Sequence, residues 1–140
     1  MLSTVYLNNS ILANSKRTLS DSKIFGEFIY MMSDSVLYIN NTVVRNAIAK
    51  DGGAIYLLGY SNLTIHFSTF TSCSALSKGG AVYASSFDQM LIIASNFSSN
   101  KATISGDAIY AANSIGYMNV NDSSYFISTV PSNFMYLSGL

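Results

Sequence analysis

Gly52-Gly53-Ala54-Ile55-Tyr56, Gly79-Gly80-Ala81-Val82-Tyr83 and Gly106-Asp107-Ala108-Ile109-Tyr110 are three copies of one pentapeptide, with tyrosines 27 and 27 residues apart. Self-similarity at a fixed period marks a chain of stacked units, each too small to bury its apolar face alone. Weaker copies lie to either side: Gly26-Glu27-Phe28-Ile29-Tyr30 upstream, Phe134-Met135-Tyr136-Leu137 downstream, and Val5-Tyr6-Leu7 as a sixth candidate. A second block keeps phase six residues before each glycine, as Val43-x-x-Asn46, Phe70-x-x-Cys73 and Phe97-x-x-Asn100. Ile48, Ala75 and Ala102 follow it two positions later.

Between these blocks the chain alternates. Leu37 and Ile39, then Leu63, Ile65 and Phe67, then Met90 and Ile92 place apolar side chains at every second position, the period of a strand with one buried face. No window carries the spacing of an amphipathic helix, and Glu, Lys and Arg are scarce. Each period reads as three short strands joined by turns of Gly, Ser, Asn and Asp, which tolerate left-handed backbone or bond their own main chain. Leucine-rich repeats would need a helical return leg, and a propeller blade needs ~40 residues.

The fold expected is therefore all-β: a parallel β-helix solenoid of about five to six coils of 24–27 residues, with residues 1–140 as a single repeat domain. Stacked coils put like residues at the ~4.8 Å strand spacing. Ile39, Ile65 and Ile92 are expected to stack inside, as are Ile55, Val82 and Ile109, with Phe70 over Phe97 near a corner. Asp51 and Lys78 share one phase, and Tyr60 and Phe87 another in which they would stack. Gly52, Gly53, Gly79, Gly80 and Gly106 mark a tight bend or close backbone approach, while Asn46, Cys73 and Asn100 occupy one turn position. Asn46 and Asn100 read as ladder amides serving turn backbone groups.

The paired pattern of Phe97, Asn100 and Gly106 to Ile109, and again of Val43, Asn46 and Gly52 to Ile55, resembles polymorphic outer membrane protein repeats. Such repeats occur in chlamydial autotransporter passenger domains and in large surface proteins of some protists. The resemblance covers residues 25 to 137 and is strongest from 43 to 110. It implies a right-handed, pectin-lyase-like parallel β-helix, extracellular or cell-surface exposure, and a role in adhesion or surface architecture. Departures are Cys73 at one Asn place, Asp107 at one Gly place and Val43 at one Phe place; no autotransporter barrel follows.

Composition narrows the partners. Charged residues make up 10% of the chain, against roughly 25% in soluble domains, and 24 Ser with 13 Asn supply the polarity instead. Lys+Arg 7 balance Asp+Glu 7, so there is no basic excess with which to grip nucleic acid or anionic lipid. No stretch approaches the ~20 apolar residues of a membrane-spanning helix, and Met1 to Leu12 lacks the n-region and cleavage site of a signal peptide. The single cysteine, Cys73, precludes an intrachain disulfide and reads as a small packing residue.

Chemistry fares poorly on the same reading. A glycan lyase or hydrolase, the enzymatic alternative on a pectin-lyase-like fold, needs clustered carboxylates. No two of Asp21, Glu27, Asp34, Asp51, Asp88, Asp107 and Asp122 share a phase in adjacent repeats, where counterparts come close. His66, the only histidine, falls on an outward strand position. The Gly-Gly pairs lack the Gly-Lys-Ser/Thr of a phosphate loop, and Lys16-Arg17 is a solvated loop. No catalytic residue, metal or cofactor is expected.

Five Asn-x-Ser/Thr sites, at Asn8, Asn40, Asn62, Asn96 and Asn121, are candidate N-glycosylation positions, and glycans there would offset the low charge. Met1 to Leu12 and Phe134 to Leu137 both read as coil sequence and not as caps, so a segment of a longer solenoid or a stacking subunit is expected. The function expected is that of a non-enzymatic structural or adhesive extracellular repeat protein. Its partners would be other β-helix segments or subunits, with carbohydrate a further candidate; an intracellular structural assembly component is the other alternative.

Overall fold

The computed structural model describes residues 3–15, 24–114, 116–120, 124–127 and 135–138. Strands β1 (Thr4–Asn8) and β2 (Ile11–Ala13) precede a first complete turn of β3 (Ile29–Met31), β4 (Val36–Asn40), β5 (Val43–Arg45) and β6 (Ile48–Ala49). The second turn is β7 (Ile55–Leu58), β8 (Asn62–His66), β9 (Thr69–Thr71) and β10 (Ser74–Ala75); the third is β11 (Val82–Ser85), β12 (Gln89–Ile93), β13 (Asn96–Ser98) and β14 (Lys101–Ala102). β15 (Ile109–Ala112), β16 (Tyr117–Val120), β17 (Tyr125–Ile127) and β18 (Met135–Ser138) follow. Strands of successive turns pair in parallel, giving the sheets β1-β4-β8-β12-β16, β2-β5-β9-β13-β17, β3-β7-β11-β15-β18 and β6-β10-β14. The chain is an all-β solenoid with no helix among its described residues.

The inward ladders lie where alternation placed them, except that Phe67 does not continue the Leu63–Ile65 face: it takes left-handed backbone at a corner and is 59% exposed. Ile39 pairs with Ile65 and Ile65 with Ile92, while Ile55, Val82 and Ile109 form a second column, all buried. Phe70 lies flat on Phe97, ring centroids 4.8 Å apart and planes within 4°. Each fully buried side chain of this size contributes about 1.5–3 kcal/mol by leaving water. Ala54, Ala81 and Ala108 fill the crowded corner behind the glycines.

Corners explain the Ser- and Asn-rich composition. Each complete turn bends where single residues adopt left-handed backbone, and these residues stack: Asn9, Asn41, Phe67 and Ala94 at one corner, and Asn14, Asn46, Ser72 and Ser99 at another. At the glycine corner, Gly52 and Gly79 take φ of 59° and 67°, which an L side chain resists. A ladder of hydroxyls closes a further bend. Thr42, Ser68 and Ser95 each donate to the carbonyl two residues earlier (2.9, 2.7 and 2.8 Å). Ser68 and Ser95 also accept the amide N–H of the turn before, from Thr42 and Ser68, both at 3.1 Å. Buried amides at the bends thus keep partners without charge.

Several expectations are corrected. There are about three complete turns, flanked by partial ones, instead of five to six coils. Each complete turn has three main strands plus a two-residue fourth. The spacing between stacked residues is 26 or 27 in the middle but 32 between Asn9 and Asn41 and 29 between Ser95 and Ser124, outside the 24–27 range. Val5-Tyr6-Leu7 is no copy of the tyrosine block; it lies in β1 and pairs with Leu37-Tyr38-Ile39.

The Phe-x-x-Asn reading slips by one residue at its first copy. Val44, not Val43, pairs with Phe70, and Ala47, not Asn46, sits against the Cys73–Asn100 column. The cause is one extra residue at Ser77–Lys78. Ala49 pairs with Ala75 at a spacing of 26, yet Ile55 pairs with Val82 at 27, and the main-chain bonds of Leu76, Ser77 and Gly52 place the insertion between them. Tyr60 and Phe87 share a phase but do not stack. Tyr60 has left-handed backbone and is 57% exposed, whereas at the same bend only Ser86 is left-handed and Phe87 turns wholly inward.

Candidate functional site

The most organised outward surface is carried by the sheet β3-β7-β11-β15-β18. In each strand one residue stacks on its counterpart in the next turn, and in all five it is tyrosine: Tyr30, Tyr56, Tyr83, Tyr110 and Tyr136, with Tyr30 and Tyr136 exposed and Tyr110 buried. In-register parallel pairing forces these rings to one spacing. Successive centroids are 5.4, 4.7, 5.1 and 4.9 Å apart, with planes within 1°, 8°, 9° and 2°. Each stacked pair adds about 0.5–1.5 kcal/mol beyond area burial. Phe25 tilts against Tyr56 at 4.8 Å and widens the strip.

Two cations rest on this strip. The Lys50 ammonium lies 5.3 Å from the Phe25 centroid, and that of Lys78 lies 4.7 Å from the Tyr110 centroid and 3.4 Å from its hydroxyl. The Tyr110 hydroxyl, then burial acting the other way, sets the balance that raises the Lys78 pKa. Burial, followed by the neighbouring Tyr83 and Asp51, pushes Tyr56 up to about 12, and burial likewise raises Tyr83. These phenols stay neutral across the physiological range. Because each ring covers its neighbour's face, the strip presents ring edges and hydroxyls along its length.

Asp51 and Lys78 are neighbours, as their phase predicts, but the contact runs through the main chain: Asp51 Oδ1 accepts the Lys78 amide N–H at 2.9 Å. Asp107, at the place of a glycine, accepts the Ala102 N–H at 2.9 Å while buried. Asp34 and Asp88 are exposed at one corner of the solenoid, two turns apart. Asp21 and Asp122, like Lys16-Arg17 and Phe134, lie outside the described residues. Among the described residues, no three of His, Cys, Asp and Glu are grouped to hold a metal ion.

Gly53 and Gly80 serve a different need from Gly52, Gly79 and Gly106. A Cβ on Gly53 would strike the Gly80 carbonyl, and one on Gly80 would strike the Asp107 carbonyl. Asn100 works as a ladder amide, its Oδ1 accepting the Cys73 N–H and its Nδ2 donating to Phe70 O, both at 3.0 Å. Asn46 does not join it; exposed at a bend, it donates to Asn14 Oδ1 at 2.8 Å. Cys73 is fully buried, and burial pushes its thiol up to about 11, leaving it inert. His66 is half-buried on the outward face, with its ring 4.4 Å from that of Phe67.

Of the sequon asparagines, Asn8 is exposed and pairs in register with the half-buried Asn40. Asn62 and Asn96 open β8 and β13, outward and half-buried, each with an Oδ1 that is buried without a hydrogen-bond partner. Asn121 lies outside the described residues. The tyrosine ladder is not among the site residues expected from the sequence, where the glycines are the more conspicuous part of the repeat. Its signal was nonetheless present, as tyrosine recurring at one phase in five copies.

Among the described residues no helix is long and apolar enough to cross a membrane. The chain matches no protein-family model, and neither a curated protein nor a solved structure matches it.

Proposed function

We propose that this chain is a non-enzymatic structural or adhesive segment of an extracellular or cell-surface solenoid, working as part of a larger assembly. The observation that carries the reading is the tyrosine ladder, an aromatic strip flanked by Lys50 and Lys78 and repeated at strand spacing along the solenoid axis. Such a surface suits repetitive contact better than capture of one small substrate. The acids Asp51 and Asp107 are engaged by backbone N–H groups, which supports a role without carboxylate catalysis.

The likeness to polymorphic outer membrane protein repeats, and with it a right-handed pectin-lyase-like coil, belongs to this proposal. It rests on the Phe97-x-x-Asn100 and glycine blocks, since the Val43–Asn46 copy is out of register. N-glycans on the sequons belong to it as well, with Asn8 the most open of the four described sites.

Sedimentation at decreasing concentration, with intact mass of protein from its native source, tests the reading. Self-association or co-purifying solenoid segments, together with added hexose mass, are expected. A stable unmodified monomer would overturn it. So would turnover of an acidic polysaccharide, with or without Ca²⁺, that is lost in Asp88→Ala.

A further inference from the structure

With one cysteine in the chain, no disulfide can staple one turn to the next. The fold does bring another set of like, oxidisable side chains into contact between turns. We propose that the stacked tyrosines are a site of oxidative coupling, at which phenols of successive turns are joined as dityrosine by a one-electron oxidant of the peroxidase class, with hydrogen peroxide as terminal acceptor. This goes beyond the assembly reading and does not depend on it.

The geometry points first to the two stacked pairs that contain the most exposed stacked rings, Tyr6 and Tyr30. Tyr30 and Tyr56 are 5.4 Å apart with planes within 1°, and Tyr30, on the last described strand of its sheet, is 51% exposed to an oxidant. Tyr6 and Tyr38, outward on β1 and β4, form a second stack at 5.0 Å and 7° and are both exposed. Coupling of two phenoxyl radicals joins half-filled π orbitals that project from the ring faces. Near-parallel rings held face to face are therefore already in the approach the bond requires.

The step balances. Each of two phenols gives up one electron and its hydroxyl proton. The two radicals pair at ring carbons ortho to oxygen, forming one C–C bond, and the hydrogens on those carbons pass to the oxygens and restore both rings. Two hydrogen atoms leave the protein, and one peroxide becomes two waters.

Exposure alone gives a different outcome. Tyr60 and Tyr117 are 57% and 54% exposed, as open as Tyr30, yet neither stacks on a tyrosine among the described residues. The test treats the full chain at dilution with peroxidase and peroxide, then reads dityrosine fluorescence, intact mass and cross-linked peptides. Expected are intramolecular Tyr6–Tyr38 and Tyr30–Tyr56 links, each lighter by two hydrogens, exceeding links through Tyr60 or Tyr117 by about tenfold or more. Tyr56→Phe keeps the stack but removes the phenol; it should abolish the Tyr30–Tyr56 link while Tyr6–Tyr38 persists as a control for folding. Links distributed by exposure alone, the same pattern from urea-unfolded chain, or no intramolecular link would overturn the proposal.

Discussion

Truncating Ile65 to alanine tests the stacked interior at its centre. Ile65 is 0% exposed and held in register between Ile39 and Ile92. Removing a buried isoleucine side chain down to Cβ costs about 2–5 kcal/mol, more where the cavity walls cannot collapse. Here the walls are strands pinned on both sides by parallel pairing, so the loss should fall at about 3–4 kcal/mol. Thr64→Ala is the control. Thr64 is in the same strand but points outward between Tyr38 and Leu91, and its truncation should cost about 0.5 kcal/mol or less. Urea titration followed by far-ultraviolet circular dichroism gives both numbers from the midpoint, provided the slope is unchanged. A fall in slope would report turns unfolding separately, as quasi-one-dimensional stacks can. A loss at Ile65 below about 1 kcal/mol, or equal losses at positions 64 and 65, would refute the inward ladder.

Three further predictions concern corners and pH. In Gly80→Ala the new Cβ meets the Asp107 carbonyl and stands 2.7 Å from the Lys101 nitrogen, both backbone. It should cost more than about 3 kcal/mol, visible as lost soluble yield, whereas Gly59→Ala, with its nearest new contact at 3.1 Å, should remain folded in a thermal melt. Ala94 holds a φ of 47° at the corner where Asn41 and Asn9 hold 47° and 50°. Left-handed backbone costs an ordinary L-residue about 1–2 kcal/mol, so Ala94→Asn should stabilise by about 0.5 kcal/mol and Ala94→Val should destabilise; Tm moving the other way would reject the corner assignment. Alkaline stability should fall in a defined window. Tyr56 and Cys73 are pushed up to about 12 and about 11 from 10.0 and 9.0, so both favour the protonated folded state. Their contribution is complete below pH 9 and is lost as pH rises toward 12. Buried Cys73 accounts for about 2–3 kcal/mol, and the more exposed Tyr56 for about 1 kcal/mol or less after solvent screening. Cys73→Ala should flatten the part of a pH-stability profile between 9 and 11.

What the chain encodes locally is the two periods. Alternation decides which side of a strand is wet, so Leu63, Ile65, Met90 and Ile92 could be placed inside from their spacing, and repetition decides which residues share a column. The glycine corner, the alanines behind it, the Phe70–Phe97 stack and the recurring tyrosine phase all follow from those two facts. They concern each residue and its counterpart one turn away, which a linear sequence displays.

Only the tertiary structure decided where an unequal turn absorbs its extra residue. One extra residue could have been accommodated at any bend; its place at Ser77–Lys78 leaves Asn46 at an exposed corner and seats Ala47 in the column of Cys73. Likewise nothing local distinguishes Tyr60 from Phe87; a left-handed Tyr60 turns one side chain out, and its absence at Phe87 turns the other in. Val5-Tyr6-Leu7 resembles the tyrosine strand in composition but pairs in register with Leu37-Tyr38-Ile39, with Leu7 packed against the core. Register is a cooperative property of neighbouring turns, settled by backbone hydrogen bonds and core filling together, and it is what brings five tyrosines face to face.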